Sequence, residues 1–186
     1  MDERLKLKSN IRYILCASVA LFAMLTALVC LPLEFFYPSI FIAIFLSWMS
    51  FVDIERHILP NLLTYTLLIA GLVWASVFKL EDLHHHVIGC AVGYGLIVGV
   101  SYLHKVRKGV AGMGMGDAKL LAAAGAWSGW VALPYILLIA AVSGLVLVGL
   151  KSLKQRQIRG DVRIAFGPHL AFGFWVVWLL GPSIKM

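Results

Sequence analysis

Residues 35–52 read FFYPSIFIAIFLSWMSFV, eighteen positions without a charge, and the next residue is Asp53. A helix needs about 20 apolar residues to cross the hydrocarbon core of a bilayer. The stretch therefore predicts a membrane span with a carboxylate where the helix leaves the hydrocarbon. Runs of the same kind lie on either side of it, at about Tyr13–Leu31, Leu62–Phe78, Val87–Leu103, Trp130–Leu150 and Ile164–Leu180. A shorter apolar segment, Ala118–Ala126, has only about ten helical residues and rises about 15 Å. It either spans half the bilayer or continues with its neighbour past a break at Ser128–Gly129.

The whole chain fits these runs. Of its 186 residues 61% are hydrophobic and 13% charged, about half the usual charged share. That composition excludes a soluble enzyme, a disordered tail and a nucleic-acid-binding domain as first readings. The net charge of +7 reads as an orientation signal, because cytoplasmic loops of membrane proteins carry excess Lys and Arg. All such residues except Lys79, Lys119 and Lys185 fall in the N-terminus, at Arg56, in 105–108 or in 151–163. If one side holds them all, it is the cytoplasm, and the N-terminus lies there too. The alternation then requires the short segment and the Trp130–Leu150 run to form an out-and-back hairpin. The expected fold is all-α, a polytopic membrane helix bundle of about six membrane segments, one of them short. The first apolar run is too long for a signal-peptide core and no A-x-A site follows it, so it is expected to be retained. Cys16, Cys30 and Cys90 are isolated within apolar runs and read as small buried residues, with neither a metal site nor a disulfide framework.

The carboxylates carry what chemistry there is. Asp2 and Glu3 sit in the N-terminus, and Glu34, Glu81 and Asp82 fall on the outer side. Asp53, Glu55, Asp117 and Asp161 remain on the cytoplasmic side. Asp53 follows its span without a break, at a depth where ionisable groups are costly and usually mark a site; the plainer reading is a helix-end charge. Asp117 closes GMGMGD, residues 112–117, and opens a helical run. There the glycines permit close backbone approach, and the plainer reading is an N-cap. The pair says more than either residue. Two close carboxylates cannot both ionise cheaply, so one keeps a proton near neutral pH. The ionised one can accept a proton from water while the other donates to a carbonyl oxygen. An ion- or proton-coupled small transporter would use the same pair as a relay.

The motifs around the pair resemble one family. Asp53-Ile54-Glu55-Arg56-His57-Ile58-Leu59-Pro60-Asn61 resembles the first aspartate motif of type IV prepilin peptidases. Gly114-Met115-Gly116-Asp117 matches their GxGD motif, residues 118–130 resemble the helix that follows it, and Ala165-Phe166-Gly167-Pro168-His169-Leu170 resembles the FGP stretch opening the last helix. The resemblance implies a membrane aspartic endopeptidase that removes the basic leader of type IV prepilins or pseudopilins at the cytoplasmic face of the inner membrane. Asp53 and Asp117 match its catalytic aspartates, Gly114 and Gly116 its GxGD glycines, and Pro60 and Asn61 the turn past the first aspartate. Lys119 matches a basic position just after the second. Neither cofactor nor metal is implied; the partners are the prepilin and membrane lipid, with no nucleic acid. Larger members carry a cytoplasmic domain with paired CxxC zinc ligands linked to N-methylation. This sequence has no CxxC pair and no room for such a domain between its first two spans, so the expectation is a peptidase-only form, a single membrane-embedded domain over 1–186. The related intramembrane proteases commonly have tyrosine before the first aspartate, whereas Val52 stands here.

Other features have plainer readings. His84–His86 form an outer-loop polar run, because three consecutive residues do not share a helix face. Ser50, Ser101 and Ser128 lack a histidine partner signal for serine chemistry. Gly89, Gly93, Gly95 and Gly99 have small-xxx-small spacing for close helix packing. Trp127, Trp130, Trp175 and Trp178 lie near span ends and suit interfacial anchoring.

Overall fold

The structure, a computed structural model, describes residues 18–19, 21–29, 31–32, 35–109, 114–155 and 165–184. The N-terminal basic residues, the start of the first apolar run, Cys16, Cys30, Glu34, Gly112, Met113, Asp161, Ile164 and the basic residues from Arg156 to Arg163 lie outside the described residues. Described residues 18–19 and 21–29 are helical. Six helices follow: α1 (Phe36–Arg56), α2 (Asn61–Phe78), α3 (Leu83–Lys108), α4 (Met115–Ser128), α5 (Leu133–Gln155) and α6 (Gly167–Ile184). Single 3₁₀ turns at Leu80–Asp82 and Trp130–Ala132 precede α3 and α5.

Among the described residues four stretches are long and apolar enough to cross a membrane: Phe36–Arg56, Asn61–Phe78, Leu80–Arg107 and Trp130–Leu150. Gly167–Gly181 is a shorter apolar helix. Ile44, Trp48, Ile69, Val73, Leu138 and Leu145 all point outward from the bundle, as lipid-facing side chains do. The chain is a multi-pass membrane protein.

Local chemistry sets the helix boundaries. His57 adopts a left-handed conformation (φ 52°) and its N–H returns to the Asp53 carbonyl, ending α1. Pro60 then holds an extended backbone (φ −62°, ψ 127°) as the N-cap of α2, as the ring and the restriction on its predecessor dictate. Gly109 (φ 73°) closes α3. Gly129 (φ 77°) supplies the break expected between the short segment and the next run.

The short segment is the centre of the molecule. α4 has 14 residues, a rise of about 21 Å, against about 30 Å of hydrocarbon. It packs against α2, α3 and α6, while α5 leans chiefly on α6 and α1 also packs on α6. Every residue from Leu120 to Trp127 is buried. Its alanines allow this, because little but backbone separates its axis from its neighbours. At the α3–α4 crossing a Cβ on Gly89 would stand 2.5 Å from the Gly125 carbonyl oxygen, and one on Gly93 2.6 Å from that of Leu121. Gly125 reciprocates against the Gly89 carbonyl. The glycine stripe thus packs a helix at Gly89 and Gly93. It does not at Gly95 or Gly99, which have nothing within 4 Å, because they lie on the other side of α3.

Aromatic rings fill the end of the bundle away from Asp53. Trp74, Trp127 and Trp178 meet with centroids 5.6–5.8 Å apart, and Phe35 joins Trp74 and Trp178. Trp127 Nε1 donates to the Leu67 carbonyl (2.8 Å) and Trp178 Nε1 to Ser39 Oγ (2.9 Å). Trp127 and Trp178 are therefore core residues rather than interfacial anchors. Each finds inside the bundle the acceptor that the headgroup region would otherwise supply. Trp130 is exposed and bonds His85 Nδ1. Beside the cluster opens a cavity of about 700 Å³ lined among others by Trp74, Lys79, His86, Trp127 and Trp178.

Candidate functional site

The helices alternate in direction, so the ends of α1 and α3 and the starts of α2, α4 and α6 share one end of the bundle. Asp53 comes from the last turn of α1, and Asp117 is the third residue of α4. Both are buried, at 6% and 9% exposure. For Asp53 that burial rules out an ordinary charge at a solvated helix end. Asp117 does not cap α4. Gly114 occupies the cap position in an extended conformation (φ −73°, ψ 142°) without a side-chain cap, and Asp117 lies one turn inside. The helix starts earlier than the apolar run because Met115 and Gly116 can join its first turn, where backbone donors need no partner within the helix.

The two carboxyl groups interact. Asp117, which lies outside the four long spans, has its carboxyl pushed up to about 6, first by burial and then by the charge of Asp53; the Gly114 amide acts against both. Two acids in this relation hold one proton between them to higher pH than an exposed aspartate would. The Asp53 carboxylate has a partner of its own. Its Oδ2 accepts the backbone N–H of Gly167 at 3.0 Å, in a buried contact spanning 114 residues of sequence. Gly167 is the first residue of α6.

Glycine makes these approaches possible. A Cβ on Gly116 would lie 2.8 Å from the Leu59 Cβ, and one on Gly167 2.6 Å from Asp53 Oδ2. Gly114 is different: its nearest neighbour would be Asp117 Oδ2 at 3.6 Å, an ordinary contact. Of the two GxGD glycines, only the second has a side-chain-sized space taken away.

The turn past Asp53 is tied to α4. Pro60 caps α2, Asn61 is its first residue, and Lys119 Nζ donates to Asn61 Oδ1 at 2.6 Å while lying 4.9 Å from the Tyr65 ring centroid. Leu59, at 6% exposure, plugs the space beside Gly116. Asp53, Pro60, Asn61, Gly114, Gly116, Asp117 and Lys119 thus converge on one end of the molecule. Sequence reasoning missed the part played by Gly167. The only signal for it was the FGP stretch, which read as a helix opening rather than as a partner of Asp53.

The histidine run is divided. His84 is exposed, His85 accepts from Trp130, and His86 is buried with Nδ1 2.9 Å from the Ala126 carbonyl. Among the described residues no three His, Cys, Asp or Glu side chains are grouped to hold a metal ion. The arrangement at the aspartates offers a buried acid pair open to general acid–base work on a water molecule.

Comparison with known proteins gives a concordant result. Residues 40–149 match the model of the type IV leader peptidase family. A prepilin leader peptidase/N-methyltransferase of Aeromonas hydrophila is 38% identical over 146 residues, 76% of this chain and 50% of that protein. The protein of that name in Stutzerimonas stutzeri is 39% identical over 143 residues, 75% of this chain and 49% of it. The one in Escherichia coli K12 is 40% identical over 161 residues, 84% of this chain and 71% of it. The chain spans about half the length of the first two. No solved structure matches.

Proposed function

This chain belongs to the type IV leader peptidase family, and from that premise we propose that it is a membrane aspartic endopeptidase cutting the leader from prepilins or pseudopilins, with Asp53 and Asp117 as its catalytic pair. The observation that carries the reading is the meeting of two buried carboxyls, 64 positions apart in sequence, at one end of the bundle. The described basic residues Arg56, Lys105 and Arg107 lie at the same end, which supports a site facing the cytoplasm across the inner membrane. A substrate would hold its apolar helix in the bilayer and present its basic leader outside. In this reading residues 1–186 form one membrane-embedded peptidase domain.

The chemistry needs neither a nucleophilic side chain nor a covalent intermediate. The ionised carboxylate removes a proton from water as its oxygen bonds to the scissile carbonyl carbon. The carbonyl π electrons move to oxygen, which takes the proton of the other acid. In the second step the C–N bond breaks, nitrogen takes the proton gained from water, and a diol hydroxyl returns its proton to the second acid. The pair is back in its starting state.

The test is co-expression with a prepilin. Asp53→Asn and Asp117→Asn should each insert and accumulate normally while processing falls by at least about 100-fold, the lower range for removing an acid–base group. Full processing by either variant refutes the assignment. Loss of proton-coupled uptake with processing intact would make the chain a transporter.

A further inference from the structure

The FGP stretch brings a backbone donor to one member of the acid pair, and the reason for glycine there is specific. The described glycines with positive φ are Gly109 and Gly129, so Gly167 sits in a conformation open to any L residue. What it lacks room for is a side chain. A Cβ would stand 2.6 Å from Asp53 Oδ2 and 3.0 Å from its Cγ. The first turn of α6 is otherwise accounted for: Pro168 has no N–H, and His169 and Leu170 donate to the Phe166 carbonyl. The Gly167 N–H is the one donor of that turn given to another element, and it goes to Asp53.

We propose that the start of α6 is a third arm of the catalytic centre, in which the Gly167 amide holds Asp53 as the ionised base and leaves Asp117 as the proton-carrying acid. The inference rests on the peptidase reading above and assigns its two roles. A backbone N–H aimed at a carboxylate oxygen favours the charged form, and the N-terminal end of a helix favours a negative charge placed against it. Both act on Asp53 from outside its own helix, whose C-terminal end would otherwise disfavour the charge. Asp117 faces that charge from within a buried helix turn and takes the proton. Its own amide contact with Gly114 is outweighed by burial and by Asp53. Gly167 is a positioning residue: it touches the base, not the substrate.

Two variants of the full chain test this, each reconstituted in lipid with a prepilin and followed over pH. In the first, Gly167→Ala keeps the amide but displaces the carboxylate. In the second, glycolic acid replaces residue 167 during cell-free translation, so an ester oxygen replaces the N–H and no atom is added. The ester variant should lose about tenfold in kcat with KM within about twofold. The acid limb of its pH–rate profile should move up by about one unit, the size of shift such a hydrogen bond governs. Gly167→Ala should lose more. Gly99→Ala, with nothing within 4 Å of the new carbon, should match wild type and controls for handling. An ester variant with the wild-type kcat and acid limb overturns the proposal, even if Gly167→Ala fails to fold. The peptidase reading fails separately, through an active Asp53→Asn variant.

Discussion

At the residue scale, Asp117 carries a proton that an exposed aspartate would not. Its carboxyl rises from 3.8 to about 6 through burial and the neighbouring Asp53 charge. The consequence for stability has a definite sign. Between about pH 4 and pH 6 the folded chain keeps a proton that the unfolded chain has released, so stability falls as pH rises through that window and levels off above it. Asp117→Asn removes the titrating group. The expected outcome is a thermal midpoint that declines from pH 4 to 6 in the wild type more than in the variant, measured by unfolding in detergent. Equal slopes would show that Asp117 is not so held. In the proposed mechanism the same proton serves catalysis, so kcat/KM should have an alkaline limb at about pH 6 or above. A bilayer that removes more water from the site would move the limb only upward.

The elements matter because three helix starts and one helix end meet within side-chain reach. The GxGD segment illustrates how. Its second glycine lets α4 approach the Leu59 turn, whereas its first caps α4 in open space. Gly116→Ala should cost about 1–3 kcal/mol by overpacking and reduce cleavage through displacement of Asp117. Gly114→Ala should stay within about 1 kcal/mol, the range for exchanging a cap residue of this kind. Thermal stability and leader cleavage measured on both variants check the ordering; a Gly114 variant as impaired as the Gly116 variant would contradict it. The two glycines look alike in GMGMGD, and only the position of Leu59 separates them. The tryptophans teach the same lesson. Placement near span ends suggested the bilayer interface, yet Trp127 and Trp178 turned inward because Leu67 and Ser39 offered acceptors. No pattern local to a tryptophan encodes which neighbouring helix holds its partner.

For the whole molecule, alternating spans put the acid pair with Arg56, Lys105 and Arg107 at one end, and the tryptophan cluster with Lys79 at the other. With the aspartate end in the cytoplasm, single cysteines placed at Glu81 and at Arg107 should label from opposite sides of sealed cells. A membrane-impermeant maleimide would reach the first in intact cells and the second only after permeabilisation. Labelling of both from outside would rule out the orientation. Close packing at the centre depends on Gly89, Gly93 and Gly125, since lipid gives helices no hydrophobic reason to associate. An interior of alanine and glycine lets α4 carry Asp117 into the bundle without crossing the bilayer.

Apolar periodicity and charge placement determined the helices, the membrane setting and the end of the bundle at which the acids sit, because each is read from a segment and its immediate flanks. Motif spacing singled out Asp53 and Asp117 for the same reason: span end and glycine run are local features. Only the tertiary structure decided that α4 is an interior helix starting at Met115, that Gly116 rather than Gly114 has no room for a side chain, and that the Gly167 amide serves Asp53. Those facts depend on distances of 2.5–3.0 Å between atoms as many as 114 residues apart. Helix packing sets such distances, and no single stretch of chain contains them.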